Sequence, residues 1–199
     1  MLGLSFLATA PAYLADLFMP IAGTIKWIPR KLMDGGRMYR GNRLFGDHKT
    51  WNGFIGGIVL GFIAFYLITF KIYPAVYDIT VSYFASGNLV FKYVTEEQIL
   101  FFVDTSNPFW FYFGQFLMCV GAPVGDLLAS FIKRRFNRPP GTQFPVLDQI
   151  DFIVMGILFA YPVFPIPLEY ALFPILLSPM ITILANILGY YTGRKEVPW

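Results

Sequence analysis

Polar and apolar positions along this chain are sorted into long blocks, with little alternation at helical or strand period. A helix that crosses the hydrocarbon core of a bilayer needs about 20 mostly apolar residues. Five stretches reach that length: 2–25, interrupted by Asp16; 51–70, without a charge; 109–132, carrying Asp126 near its end; 148–168, uncharged from Phe152 onward; and 170–193, uncharged throughout. The pattern predicts an all-α integral membrane protein of about five transmembrane helices, in one domain over 1–199. Pro162, Pro165 and Pro167 predict a tight turn between the last two helices, and Pro174 and Pro179 a kink in the fifth. No basic region precedes the first stretch, which therefore reads as a retained span and not a cleaved signal.

Composition strengthens this picture. The chain is 56% hydrophobic and only 14% charged, whereas soluble domains carry about 25% charged residues. A soluble domain is excluded, and no nucleic-acid partner is expected. The single cysteine, Cys119, lies in an apolar run; it can form no intramolecular disulfide and reads as a buried structural thiol.

Charge then orients the spans. Of the 15 Lys and Arg, seven fall in residues 26–50 (Lys26, Arg30, Lys31, Arg37, Arg40, Arg43, Lys49), four in 133–147 (Lys133, Arg134, Arg135, Arg138) and two in the tail (Arg194, Lys195). Five spans put all three regions on one side. The positive-inside rule makes that side cytoplasmic, with the N-terminus outside and the protein in the cell membrane. The connection 72–108 is then external; its alternating run Tyr77 to Tyr83 is expected to form short strands, and the segment to act as a packing cap.

Candidate chemistry concentrates in the two cytoplasmic loops, 26–50 and 133–147. The first is rich in glycine and basic residues, which let backbone and charge approach an anion such as a phosphate. The alternative is that these cations hold the loop inside and touch anionic headgroups, each worth about 1 kcal/mol. His48, the only histidine, reads as a solvated loop side chain. Near the second loop, Lys133 follows Asp126 by two helical turns, on the same face and about 10 Å nearer the cytoplasm, with Ser130 between them. Asp148 and Asp151 share a face at the head of the next helix. Three carboxylates and a lysine thus converge between two helices, a hard-oxygen set that suits Mg²⁺ and substrate phosphates. Stabilisation of a helix N-terminus, about 0.3 to 1 kcal/mol, would account for Asp148 and Asp151 but not for Asp126.

These residues carry a resemblance. GDLLASFIKRR, 125–135, resembles the GDL-x-x-S-x-x-KR run of the membrane CTP:phosphatidate cytidylyltransferase (CDP-diacylglycerol synthase) family, and LDQID, 147–151, resembles its LD-R-x-D. HKTWNGFIGG, 48–57, is similar to its KKTWEG-x-x-GG, and DGGRMYRGNRLFG, 34–46, is loosely similar to the segment before it. Arg138 and Pro139 stand where the family has Lys-Asp, Gln149 replaces the arginine of the last motif, and the chain is short. These departures make it most similar to the archaeal branch, the CDP-archaeol synthases.

The resemblance implies transfer of CMP from CTP to a lipid phosphomonoester, a digeranylgeranyl ether of glycerol phosphate held in the bilayer, with release of pyrophosphate, for phospholipid biosynthesis. It implies Mg²⁺ held by Asp126, Asp148 and Asp151, and phosphate contacts from Lys133, Arg134 and Ser130. Asn42, Gly46 and Lys49 would bind the nucleotide from the first loop, and Asp126, Lys133, Asp148 and Asp151 would form the catalytic set. Membrane lipids, and a second copy of the chain in a homodimer, are the expected partners. Two other readings stay open: a CDP-alcohol phosphotransferase, hinted at by Asp34–Gly35, and a transporter or ion pathway in which Asp16 and Asp126 face a cavity.

Overall fold

The computed structural model describes residues 2–25, 29–85, 107–139, 142, 144–191 and 193. Its architecture is a helical bundle with one small hairpin. In chain order the elements are α1 (Leu2–Gly23), β1 (Met38–Tyr39), β2 (Asn42–Arg43), α2 (Trp51–Ala85), α3 (Pro108–Arg135), α4 (Leu147–Ala160) and α5 (Leu168–Tyr191). The two strands pair antiparallel, Met38 opposite Arg43 and Tyr39 opposite Asn42.

Among the described residues, four helical stretches are long and apolar enough to cross a membrane: Ser5–Gly23, Trp51–Val76, Pro108–Arg135 and Leu168–Tyr191. The fourth helix differs from the expected 148–168. It stops at Ala160 and the chain turns through 161–167, so α4 is 14 residues long. At 1.5 Å per residue that is about 21 Å, short of the roughly 30 Å hydrocarbon core. The prolines at 162, 165 and 167 lack the amide donors that would continue the ladder, although Tyr161 before the first of them keeps α-region backbone. The second helix is longer than 51–70: it continues through Lys71 and Pro74 to Ala85. The strands expected over Tyr77 to Tyr83 are therefore helical, because the apolar run that starts the helix carries it through a weakly alternating segment. The remainder of the connection, 86–106, lies outside the described residues.

Small residues set the packing. α1 buries Ala8, Ala12, Ala15 and Ala22, a face at helical spacing that lets α2 come close. A Cβ at Gly61 of α2 would lie 2.7 Å from the Ala15 backbone. Between α3 and α4 the same device operates at Gly121 and Gly125, where a Cβ would sit 2.3 Å from Met155 O and 2.2 Å from Asp151 O. Those contacts are to backbone, which cannot give way. The glycines thus hold α4, with Asp148 and Asp151, directly against the part of α3 that carries Asp126.

Away from the basic end the core is aromatic. Phe65 packs edge-on to Tyr73, Tyr73 to Phe111, and Phe111 to Phe164, with centroids 6.3, 5.5 and 6.0 Å apart. Cys119 is fully buried with its thiol toward Pro11 O at 3.5 Å, as its apolar context implies.

Candidate active site

The basic end of the bundle is built from the loop between α1 and α2, the last turns of α3 and the first turn of α4. The first loop is closed at its neck. Met33 N–H donates to Lys49 O at 3.0 Å, Trp51 N–H to Lys31 O at 2.9 Å, and Leu32 pairs with Thr50. Thr50 then caps α2, its Oγ1 accepting Gly53 N–H at 3.2 Å. Lys49 is thereby fixed one residue before the cap, at the mouth of the bundle.

From there Lys49 Nζ reaches Asp126 of α3, 2.6 Å from both carboxylate oxygens. A second pair lies two helical turns outward along α3, where Lys133 Nζ donates to Asp148 Oδ2 at 2.9 Å. Asp148 Oδ2 also accepts Phe144 N–H at 2.9 Å. Oδ1 is 2.9 Å from Lys133 Nζ but accepts no hydrogen bond, and it is buried. Asp126 and Lys133 share a face of α3, as their spacing predicts, yet each pairs with a different partner.

Two cavities meet at this end. The smaller, about 180 Å³, is lined on one wall by Phe45, Gly46, Asp47, His48 and Lys49, and on the other by Ser130, Lys133, Arg134, Thr142 and Asp148. Arg134 is only 5% exposed. Its Nη1 donates to Arg138 O, while its Nε has no hydrogen-bond partner among the described residues and lies 3.9 Å from where a Cβ on Gly46 would stand. Gly46 itself has φ +114°, a conformation that side-chain-bearing residues rarely adopt. The larger cavity, about 710 Å³, shares His48 and Lys49 with the smaller one and adds Asp16, Arg30 and Asp126 to an apolar wall that includes Met19, Ile25, Phe54 and Leu127.

Most of the expected site residues come together here. Gly46, Lys49, Ser130, Lys133, Arg134 and Asp148 line the small cavity, and Asp126 adjoins it in the large one. Asp151 lines neither; it lies near enough to Asp126, Asp16 and Asp148 to feel their charge, and its Oδ1 accepts Phe152 N–H at 2.6 Å. Among the described residues no three His, Cys, Asp or Glu side chains gather closely enough to hold a metal ion. Asn42 also stands apart, donating to Asn137 Oδ1 at 2.7 Å at the end of α3.

Sequence reading missed Asp34, Arg43 and Arg135. Asp34 is 4% exposed and accepts Gly36 N–H at 3.0 Å, Phe45 N–H at 3.3 Å, Gly46 N–H at 3.4 Å, Arg43 Nε at 3.2 Å and Arg43 Nη2 at 2.6 Å. Burial would raise its pKa, but the Arg43 guanidinium and the three backbone donors outweigh that and hold it at about 2. The available signal was Asp34-Gly35-Gly36, a run that favours an Asx turn closed on the backbone two residues ahead.

Known proteins resemble this chain over most of its length. The sequence profile described as CarS-like: CDP-archaeol synthase matches residues 75–199. The CDP-archaeol synthase of Pyrococcus furiosus is 37% identical over 95% of this chain and 93% of its own length. That of Thermococcus kodakarensis is 35% identical over 95% and 91%, and that of Methanococcus aeolicus 32% over 98% and 95%. A solved structure, described as an intramembrane enzyme for archaeal membrane lipids biosynthesis, shares the fold with a TM-score of 0.62 and 24% identity over 92% of each chain.

Proposed function

The chain belongs to the CDP-archaeol synthase family, and we propose that the small cavity is where it holds the phosphates of its nucleotide. The enzyme transfers CMP from CTP to an archaeol-type lipid phosphate, giving a CDP-activated lipid and pyrophosphate. An oxygen of the lipid phosphate attacks the α-phosphorus of CTP. The bond from that phosphorus to the oxygen bridging the β-phosphate breaks, and its electron pair leaves with pyrophosphate. A phosphomonoester is already largely ionised near neutral pH, with a second pKa near about 6, so the step needs no dedicated general base. What it needs is neutralisation and alignment.

One observation carries the reading. A nearly buried guanidinium, Arg134, has an Nε without a hydrogen-bond partner among the described residues, at a cavity where Asp148 Oδ1, although 2.9 Å from Lys133 Nζ, accepts no hydrogen bond. Such a pairing of a guanidinium nitrogen and a carboxylate oxygen that both lack hydrogen bonds is costly in an ordinary core. It is suited to a ligand that brings phosphate oxygens for the one and a cation for the other. Lys49 and Lys133, released from Asp126 and Asp148, would turn to phosphate oxygens, while Ser130 donates its hydroxyl hydrogen.

The donor set fits Mg²⁺, which takes one or two carboxylates and fills its remaining positions with water and phosphate oxygens. Asp148 and Asp126 are the residues that would hold it, with Asp151 behind them. Bound there, it would supply charge neutralisation for the triphosphate. The large cavity, polar at Lys49 and apolar along Met19, Ile25 and Leu127, suits a lipid phosphate whose ether chains run into the bundle. The basic end faces the cytoplasm by the positive-inside rule, where CTP is found, and 1–199 acts as one domain.

The hint of a CDP-alcohol phosphotransferase at Asp34–Gly35 is taken up by the Asx turn. Purified protein given CTP, Mg²⁺ and archaeol-type lipid phosphate is expected to release pyrophosphate. Given CDP-lipid and glycerol phosphate it is expected to release no CMP; turnover only in that second mixture would overturn the reading.

A further inference from the structure

We propose that Asp34, acting through Arg43 and Arg135, is the positioning residue of the nucleotide cavity, a role that rests on the small cavity being the phosphate site. The first loop contributes none of its described residues to the buried hydrophobic core. Its interior is filled by the Asp34 carboxylate, whose two oxygens gather five donors: the N–H groups of Gly36, Phe45 and Gly46 and two nitrogens of Arg43. Two of those N–H groups belong to the residues that begin the cavity wall running from Phe45 to Lys49.

The same network is tied to the opposite wall. Arg135, next to Arg134 at the end of α3, donates from Nη1 to Tyr39 O at 2.8 Å and from Nη2 to Arg43 O at 3.0 Å. Its guanidinium also lies 4.9 Å from the ring centroids of Tyr39 and Phe131. Arg43 is thus clasped at its side chain by Asp34 and at its carbonyl by Arg135. The consequence is geometric: the gap between Gly46 and Arg134 is set by hydrogen bonds made behind each wall. None of the three residues lines the small cavity, so their effect on the ligand is indirect.

Asp34→Asn keeps the shape of the side chain but replaces one acceptor with a donor, facing Arg43 or the N–H groups of Phe45 and Gly46. Arg135→Gln leaves the loop interior intact and cuts only the tie to α3. With full-length protein in detergent, both variants are expected to weaken CTP binding, measured without lipid, by ~10-fold or more, as small misplacements of binding groups do. The KM for lipid phosphate should change less, by about two-fold, because α1, α2 and α3 supply Met19, Phe54 and Leu127 to the large cavity and the first loop, with Met33, His48 and Lys49, forms only part of its wall. Should Asp34→Asn fail to fold, Arg135→Gln carries the test alone. Arg134→Ala separates the two ideas. If it weakens CTP binding and the positioning variants do not, this proposal falls and the cavity assignment stands. If none of the three changes CTP binding, both fall. A proportional loss of CTP affinity, lipid affinity and folded fraction would reduce Asp34 to a purely structural role and also overturn the proposal.

Discussion

Lys49 Nζ stands 2.6 Å from both carboxylate oxygens of Asp126, joining the start of α2 to α3 across 77 residues of sequence. Both side chains are about a quarter exposed, so the pair is neither a screened surface contact nor a dry core bridge. It stands at the junction of the two cavities, where an incoming phosphate can replace the carboxylate as the partner of Lys49.

Because the two residues act as a unit, their losses should not add. Lys49→Ala and Asp126→Asn are each expected to lower kcat/KM for CMP transfer by about 10² or more, and the double variant by little beyond the worse single one. Steady-state rates with CTP and lipid phosphate for all four proteins provide the cycle. Full additivity would mean that the ion pair has no part in turnover.

Asp148 Oδ1 accepts no hydrogen bond among the described residues, although Lys133 Nζ stands 2.9 Å away. Asp148→Asn should leave the protein folded, abolish most of the activity, and raise the Mg²⁺ concentration needed for half-maximal CTP binding. Chelation should silence the wild type, and Mg²⁺ should restore it. An Asp148→Asn protein with an unaltered Mg²⁺ titration would remove this residue from the metal site. Lys133→Ala is expected to act differently, raising the KM for CTP more than it changes the metal requirement.

Acid should undo the first loop at a definable pH. The folded pKa of Asp34, about 2, lies below its ordinary value of 3.8. A depressed carboxylate contributes stability that is complete above the unfolded value and is lost as pH falls through the folded one. Amide exchange at Phe45 and Gly46 should therefore stay slow down to about pH 4 and quicken toward pH 2 beyond the intrinsic pH trend. In Asp34→Asn it should be fast throughout. Identical profiles in the two proteins would contradict the hydrogen bonds assigned to this carboxylate.

Gly125→Ala should cost stability through one contact. The added Cβ would meet Asp151 O at 2.2 Å, so α4 must move, and overpacking of this kind costs about 1 to 3 kcal/mol. A lower unfolding temperature and a loss of activity are expected together, since α4 carries Asp148. Gly3→Ala, whose added Cβ would meet no other part of the described structure within 4 Å, is the silent control.

The sequence by itself determined the class of this protein and the region of its site. Membrane helices are legible because hydropathy is a property of a segment: α3 and α5 need no partner to be recognised as apolar runs of spanning length. Lys49, Asp126, Lys133, Arg134 and Asp148 stood out for the same reason, being charges stranded beside or inside such runs. The motif spacing added their roles as expectations. Tertiary structure alone decided the pairing. Whether Lys133 meets Asp148 depends on how far α4 can approach α3, which Gly121 and Gly125 set, and whether Lys49 meets Asp126 depends on the hydrogen bonds that close the first loop at Leu32 and Thr50. Asp34 was illegible as a functional residue for that reason. Two glycines follow it in sequence, and apart from Gly36 its partners are folded back from positions 43, 45 and 46. Local composition reports what a segment prefers as its solvent; the match between two walls of a cavity depends on register and closure, which exist only once the chain has packed.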